Sequence, residues 1–316
     1  MRSSKHVTKL LFFSLLLLVI MACGFSSSQP EATAIPPETP IPLPTATPVP
    51  SVLTVCLGQE PNTLYSFGGP NAAARSVLAS INDGPIDMVA YEYQPVILTQ
   101  LPSLENRDAE IVRTPIQAAG QVEYAEGNLV LLEQGSRVRP AGCRSDDCII
   151  TYDGTTPLEM DQMVVNFRLR EGLTWADGTP LTADDSVYAY TLASDASSIA
   201  NTYLIDRTLT YEATDAQNLQ WWGKPGFIDP AYFTNFWAPA PKHLWSQFPA
   251  DQLSDIDIAS RTPIGWGPYM IQEWIAGDHI TLTKNPYYFR AAEGYPKFDS
   301  VSFRFIADPD AALSEL

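Results

Sequence analysis

Histidine is scarce in this sequence, and its placing excludes most metal and acid–base chemistry. Of the three, His6 stands near the N-terminus, and neither His243 nor His279 has a Cys, Asp or Glu at the spacing of a metal-ligand set. There is no Gly-x-Ser-x-Gly elbow, no glycine-rich phosphate loop and no Gly-x-Gly-x-x-Gly turn. Basic residues are few, 19 Lys and Arg against 36 Asp and Glu, giving a formal charge of −17. A surface of that sign repels phosphate backbones, so nucleic acid is excluded as a partner. No repeat of fixed period occurs. The acidic pair Asp184-Asp185 reads as a helix cap, because consecutive helical residues point about 100° apart and cannot converge on one substrate atom. No catalytic residue, cofactor or metal is expected, and the chain is not read as an enzyme.

Long apolar runs are also rare, and the longest says where the protein goes. Leu10 to Met21 follows the basic residues Arg2, Lys5, His6 and Lys9 and is short for a bilayer span, so residues 1–22 read as an export signal. The segment ending it, Ile20-Met21-Ala22-Cys23-Gly24, is similar to the bacterial lipobox, which implies a lipid-modified Cys23; an ordinary signal peptide with an incidental cysteine is the alternative. Residues 23–50 then form a linker, with eight prolines between Pro30 and Pro50, a composition that buries no core. Extended at about 3.1 Å per residue, it is a stalk reaching up to roughly 80 Å.

Of the four cysteines, Cys143 and Cys148 flank Arg-Ser-Asp-Asp in a turn, and export permits a disulfide between them, with two free thiols as the alternative. Cys56, in the apolar run Val52 to Leu57, reads as a buried core thiol.

The rest of the chain has core-forming composition, 45% hydrophobic and only 17% charged. Leu53 to Leu57 reads as a buried strand ended by Pro61, and Ala72 to Ile81 as a helix closed by the turn Asn82-Asp83-Gly84-Pro85. Residues 95–160 lack helical period and read as short strands and turns. Met163, Val165, Phe167 and Leu169 alternate with mostly polar neighbours, as in a half-buried strand. Thr182 opens a capping-box-like helix running to Leu192, with Val187, Tyr190 and Thr191 on one face. Strands are expected at Leu209 to Thr214, Leu219 to Trp222, Ile280 to Thr283 and Val301 to Phe305. A capped helix begins at Pro309.

Three segments resemble the family 5 extracellular solute-binding proteins of ABC transporters, the class of oligopeptide, dipeptide and nickel binders. One is Leu53 to Leu64 with its Glu-Pro-x-x-Leu turn. The most specific is Asn166 to Tyr188, which joins a Phe-x-Leu-Arg strand, the turn Asp177-Gly178-Thr179-Pro180 and the helix start Thr182-Ala183-Asp184-Asp185. The third runs from Gly265-Trp266-Gly267-Pro268-Tyr269 through Glu273-Trp274 and Gly277-Asp278 to Asn285-Pro286-Tyr287-Tyr288. Two positions depart from the pattern, Trp266 standing for a small or hydroxyl residue and Ser186 for a valine.

The resemblance implies a mixed α/β fold of type II (cluster C) periplasmic-binding-protein lobes, truncated before most of lobe III. It assigns residues 51–68 and 196–295 to lobe I, 69–195 to lobe II and 296–316 to the start of lobe III. It further implies a non-enzymatic receptor, outside the cytoplasm and lipid-anchored, that captures short peptides or similar solutes for ABC permease subunits. A sensor or cell-wall-component receptor of the same fold remains open. A secreted hydrolase or carbohydrate-binding protein has only the Trp-rich stretch 221–266 in its favour. Aromatics crowd that stretch, as the apolar wall of a ligand cleft requires. Tyr232 and Trp237 there, with Asn62 and Tyr65 after the first strand, are the candidate ligand contacts.

Overall fold

The computed structural model describes residues 49–315. The expected signal peptide, Cys23 and all but the end of the linker lie outside the described residues. The fold opens with β1 (Val52–Leu57), α1 (Ala72–Ile81), β2 (Ile86–Val89), β3 (Glu92–Pro95) and β4 (Ala109–Ile116). Four short strands follow, β5 (Gln121–Glu123), β6 (Leu129–Leu131), β7 (Arg137–Val138) and β8 (Ile150–Thr151), then the long β9 (Leu158–Arg168) and α2 (Ala183–Ala193). Next come α3 (Thr202–Arg207), β10 (Thr208–Ala213), β11 (Asn218–Gly223), α4 (Lys242–Trp245) and α5 (Asp257–Ser260). The described chain closes with β12 (Tyr269–Ile275), β13 (His279–Lys284), β14 (Ser300–Phe305) and α6 (Pro309–Glu315).

Two four-stranded sheets carry the architecture. In the first, ordered β1-β14-β13-β12, β1 runs parallel to β14 with Val52 opposite Ser300, and the other pairs are antiparallel. Helix α1 covers it. Asn71 caps the helix by accepting from the Ala74 N–H at 2.8 Å, and Ala73, Ala74, Val77 and Ile81 fall on one face. That face packs on Leu57, Ile280, Leu282, Val301 and Phe303. The second sheet is antiparallel, ordered β10-β11-β9-β4. From β9, Met163, Val165 and Phe167 enter the main core with Trp175, Leu219 and Trp221, while Leu158 and Met160 join a satellite core with Val122, Leu132, Val138 and Tyr152. Removing a side chain such as Phe167 from such a core costs about 3–5 kcal/mol.

Several expectations are corrected here. The strand around Met163 is buried on both faces from Met160 to Val165, because the short strands β5 to β8 and the 220s chain shield the second face; Gln162 there donates to the Gly223 carbonyl at 2.8 Å and accepts from Thr114 at 2.7 Å. Strand β1 is an edge strand with Val52 and Leu53 exposed, and Cys56 is half-buried rather than in the core. In α2 the buried residues are Ala183, Asp185, Ser186, Ala189, Leu192 and Ala193, Val187 and Tyr190 are half-buried, and Thr191 is exposed.

Each sheet joins stretches from more than one of the expected lobes. Helix α1, placed in lobe II by sequence, packs on the first sheet; β10 and β11, placed in lobe I, pair with β9; and β14, placed at the start of lobe III, pairs with β1. In each case the partner lies far away in sequence, where a contiguous reading cannot find it.

The hairpin β2–β3 pairs Val89 with Glu92, leaving a two-residue turn in which Ala90 and Tyr91 have φ of 51° and 68°. That is the backbone of a two-residue hairpin turn, held here without glycine at about 1–2 kcal/mol per residue. Tyr91 is 96% exposed at the tip.

Candidate functional site

The parallel pair β1 and β14 ends at Leu57 and Phe305, and both strands lead into helix-forming segments on that side, α1 by way of the 58–71 loop and α6 directly. In open α/β sheets, ligands bind in the crevice beyond the carboxyl ends of such strands. A groove of about 410 Å³ lies there, lined by Cys56, Gly58, Gln59, Ala72 and Ser76 among others. The Cys56 thiol faces the Ala312 carbonyl of α6 at 3.9 Å.

The loop beside this groove is held by its own polar residues. Asn62 donates to the Gly69 carbonyl at 3.0 Å and accepts from the Asn71 N–H at 2.8 Å, so both ends of its amide brace the loop. Asn71 in turn donates to the Glu60 carbonyl at 3.0 Å. The Glu60 carboxylate accepts from Trp274 Nε1 at 2.8 Å and from the Gly277 N–H at 3.0 Å, tying the loop to the β12–β13 turn. Tyr65 is buried, edge-on to Phe67 and Trp245 with ring centres 5.6 Å from each, and burial pushes its phenol pKa up.

The other two candidates lie in the aromatic stretch. Tyr232, half-buried, accepts the Leu104 N–H at 3.1 Å, and its neighbour Phe233 stacks edge-on against Tyr93 of the hairpin at 5.0 Å. Trp237 lies edge-on to Tyr190 and Tyr211, with ring centres 4.6 and 4.7 Å away, and it touches both the main core and the cluster that holds Tyr65. The structure thus brings Tyr65 and Trp237 to one cluster, with Asn62 bracing the loop above and Tyr232 on the hairpin side. Of the ten aromatics in this stretch, Trp221, Phe227, Phe236, Trp245 and Trp266 are buried, and Trp222, Tyr232, Phe233, Trp237 and Phe248 are half-buried.

Sequence reasoning missed the polar pair beneath Trp237. The Ser186 hydroxyl meets the Tyr211 hydroxyl at 2.7 Å and also donates to the Trp237 carbonyl. The valine expected at 186 cannot do either, so the departure at Ser186 is matched by Tyr211, from another element.

The motif around Asp177 and Asp185 is scaffolding. Asp177 accepts the Thr179 N–H at 2.9 Å across the tight turn and meets His243 Nε2 at 2.9 Å. Burial raises its pKa, but these partners outweigh it and hold the carboxyl below its usual range. Asp185 accepts from the Thr182 N–H at 2.8 Å, the Lys242 N–H at 3.2 Å and Trp175 Nε1 at 3.4 Å. Burial nonetheless pushes its pKa up. The carboxylate is enclosed by donors and reaches no open surface for chemistry. Cys143 and Cys148 form a disulfide that borders a separate depression of about 330 Å³.

Comparisons with known proteins follow this geometry. The model of the family described as bacterial extracellular solute-binding proteins, family 5, middle region, matches residues 158–316. The oligopeptide-binding protein AppA of Bacillus subtilis is 29% identical over 161 residues, which is 49% of this chain and 28% of that protein. A probable ABC transporter-binding protein of Deinococcus radiodurans is 26% identical over 172 residues, 49% of this chain and 29% of its own. Among solved structures, Bacillus subtilis AppA in complex with a nonapeptide has a TM-score of 0.57 at 19% identity, covering 85% of this chain and 43% of that one. The oligopeptide-binding protein of Thermus thermophilus with a pentapeptide has a TM-score of 0.56 at 16% identity, covering 84% and 42%. At those identities the structural likeness speaks for the fold, a mixed α/β periplasmic-binding-protein fold of type II. The chain spans less than half the length of these solved relatives and the matched stretch less than a third of the curated ones. With the family model taking in half of its residues, on a fold those structures share, the chain belongs to the family 5 bacterial extracellular solute-binding proteins.

Proposed function

We propose that this chain belongs to the substrate-capturing component of an ABC importer, taking up short peptides or similar small solutes outside the cytoplasm for transmembrane permease subunits. The observation that carries this reading is that relatives at 26–29% identity are named as oligopeptide-binding, ABC transporter-binding and putative peptide-binding proteins. The groove at the ends of β1 and β14, with a braced loop on one side, suits part of one wall of a solute cleft.

On this reading residues 51–68 and 196–295 belong to lobe I, 69–195 to lobe II and 296–316 to the start of lobe III. Tyr232 and Trp237 keep partly open ring faces for a ligand, whereas Asn62 and Tyr65 act by fixing the loop that borders it. Cys23 carries the lipid that moors the protein, and the proline-rich linker holds the lobes clear of the membrane. Among the described residues no helix is long and apolar enough to cross a bilayer.

The test is a thermal-shift screen of the protein with di- to hexapeptides. A peptide at a hundredfold excess over its Kd stabilises by about 2.7 kcal/mol, well above detection. Stabilisation by a glycoside or a metal chelate and by no peptide removes peptide as the cargo. Loss of labelled-lipid incorporation in Cys23→Ser checks the anchor.

A further inference from the structure

A cavity of about 780 Å³, nearly twice the strand-end groove, lies away from that groove. The hairpin β2–β3 forms one wall through Asp87, Val89, Gln94 and Val96. Phe289, Arg290 and Glu293 form another part of the lining, and Thr99 with the turn Arg170-Glu171-Gly172 completes it.

The hairpin and the Phe289 segment are fixed to each other before any ligand arrives. Tyr288, next to Phe289, donates its hydroxyl to Asp83 at 2.5 Å, and Trp266 Nε1 donates to the Asp83 carbonyl at 2.8 Å. Asp83 leads straight into the base of the hairpin, where Gly84 lies so close to Val96 that a Cβ on it would stand 2.6 Å from the valine Cβ. Farther out, Phe233 packs on Tyr93. The left-handed turn at Ala90 and Tyr91 adds a wall held in a sparsely populated backbone state, a feature that clusters at ligand clamps.

The charges inside are unevenly used. Arg290 is committed to Glu293 at 3.1 Å and lies over the Tyr295 ring at 4.9 Å. Arg170, Asp87 and Glu171 line the same cavity, and among the described residues none of them is in a salt bridge. A lining with a guanidinium and two carboxylates outside any salt bridge, together with an amide, a hydroxyl and an aromatic ring, is complementary to a molecule carrying one charge of each sign. The volume falls within the range of small-molecule sites.

We propose that this cavity is a second solute site, separate from the strand-end groove, which takes a small zwitterion with its carboxylate on Arg170 and its ammonium on Asp87 and Glu171. The site stands whether or not the cleft takes peptides. Calorimetric titration of the protein with L-alanyl-L-alanine, its N-acetyl derivative and its C-terminal amide tests it. The dipeptide is expected to bind at least tenfold more tightly than either blocked form. Arg170→Gln is expected to erase the preference over the amide, and Asp87→Asn the preference over the N-acetyl form. Both side chains are exposed and structurally unpaired, so the variants keep the parent melting temperature. Equal affinity for all three compounds, or no binding at millimolar concentration, overturns the proposal. Dipeptide binding that both variants leave unchanged also overturns it, and at the same time leaves peptide capture at the strand-end groove standing.

Discussion

The carbonyl oxygen of Ile81 lies 1.8 Å from where a Cβ on Gly265 would stand, and the Gly267 N–H donates to that same oxygen at 2.7 Å. The C-terminus of α1 is therefore seated directly on the backbone of the Gly265-Trp266-Gly267 segment, and the Trp266 indole reaches past it to the Asp83 carbonyl. This gives the two glycines of the third family motif a steric reason.

Gly265→Ala cannot be absorbed by a rotamer change, since the obstacle is backbone. A loss of stability on the order of 2–4 kcal/mol is expected, measured as a lower urea midpoint with an unchanged slope. A midpoint equal to that of the parent would show that α1 can lift off freely.

Ser186 and Tyr211 form a buried hydroxyl pair, so single and double replacements should not add. Ser186→Val leaves the buried Tyr211 hydroxyl without its closest partner, a deficit of about 1–3 kcal/mol. Removing the second hydroxyl as well, in Ser186→Val with Tyr211→Phe, should recover at least half of that loss. Thermal unfolding of the four proteins in the cycle reads the coupling directly.

Asp299 ties the start of β1 to the first sheet. It accepts from the Ser51 N–H at 2.8 Å and Oγ at 2.9 Å and pairs with Lys284 at 2.8 Å. The Lys284 contact and then the Ser51 donors hold its pKa down at about 2, from an ordinary 3.8. A carboxyl depressed on folding contributes stability that is present above its unfolded value and disappears as pH falls through the folded one. The difference in stability between the parent and Asp299→Asn should thus be constant at neutral pH and close between about pH 4 and pH 2. A difference that persists at pH 2 would assign the effect to something other than this ionisation.

The Cys143–Cys148 bridge closes a loop with a sequence separation of 5. Loop-closure entropy for so short a ring is worth about 2 kcal/mol, so reduction should lower stability modestly without unfolding the protein. Melting with and without reductant checks this, and Cys143→Ser with Cys148→Ser should be insensitive to reductant.

Local pattern made much of this legible in the sequence. The helix Ala72 to Ile81 and the Thr182 cap are written in side chains a few residues apart, and both are present in the structure. Strand β12 was missed because the register shift between Ile271 and Glu273 breaks its alternation. Helix α3, six residues long, is too short to display a period. Which elements share a sheet was not legible, since β1 finds β14, and β10 and β11 find β9, only in three dimensions. Around the candidate site the aromatic density was visible in the sequence. The division of labour was not: nothing in the letters says that Asn62 uses both ends of its amide on the 62–71 loop, or that Ser186 is answered by Tyr211.

The pairing of β1 with β14 also sets a timetable. Ser51 and Asp299 are 248 positions apart, and at about 5–20 residues per second a ribosome needs roughly 12–50 s to make the stretch between them. Throughout that interval the strand made earliest has no neighbour to close on, so the first sheet stays open until the late strands emerge. A chain that cannot complete its fold while it is being made is still threadable, and that is the state in which a protein can be drawn through a narrow translocation channel.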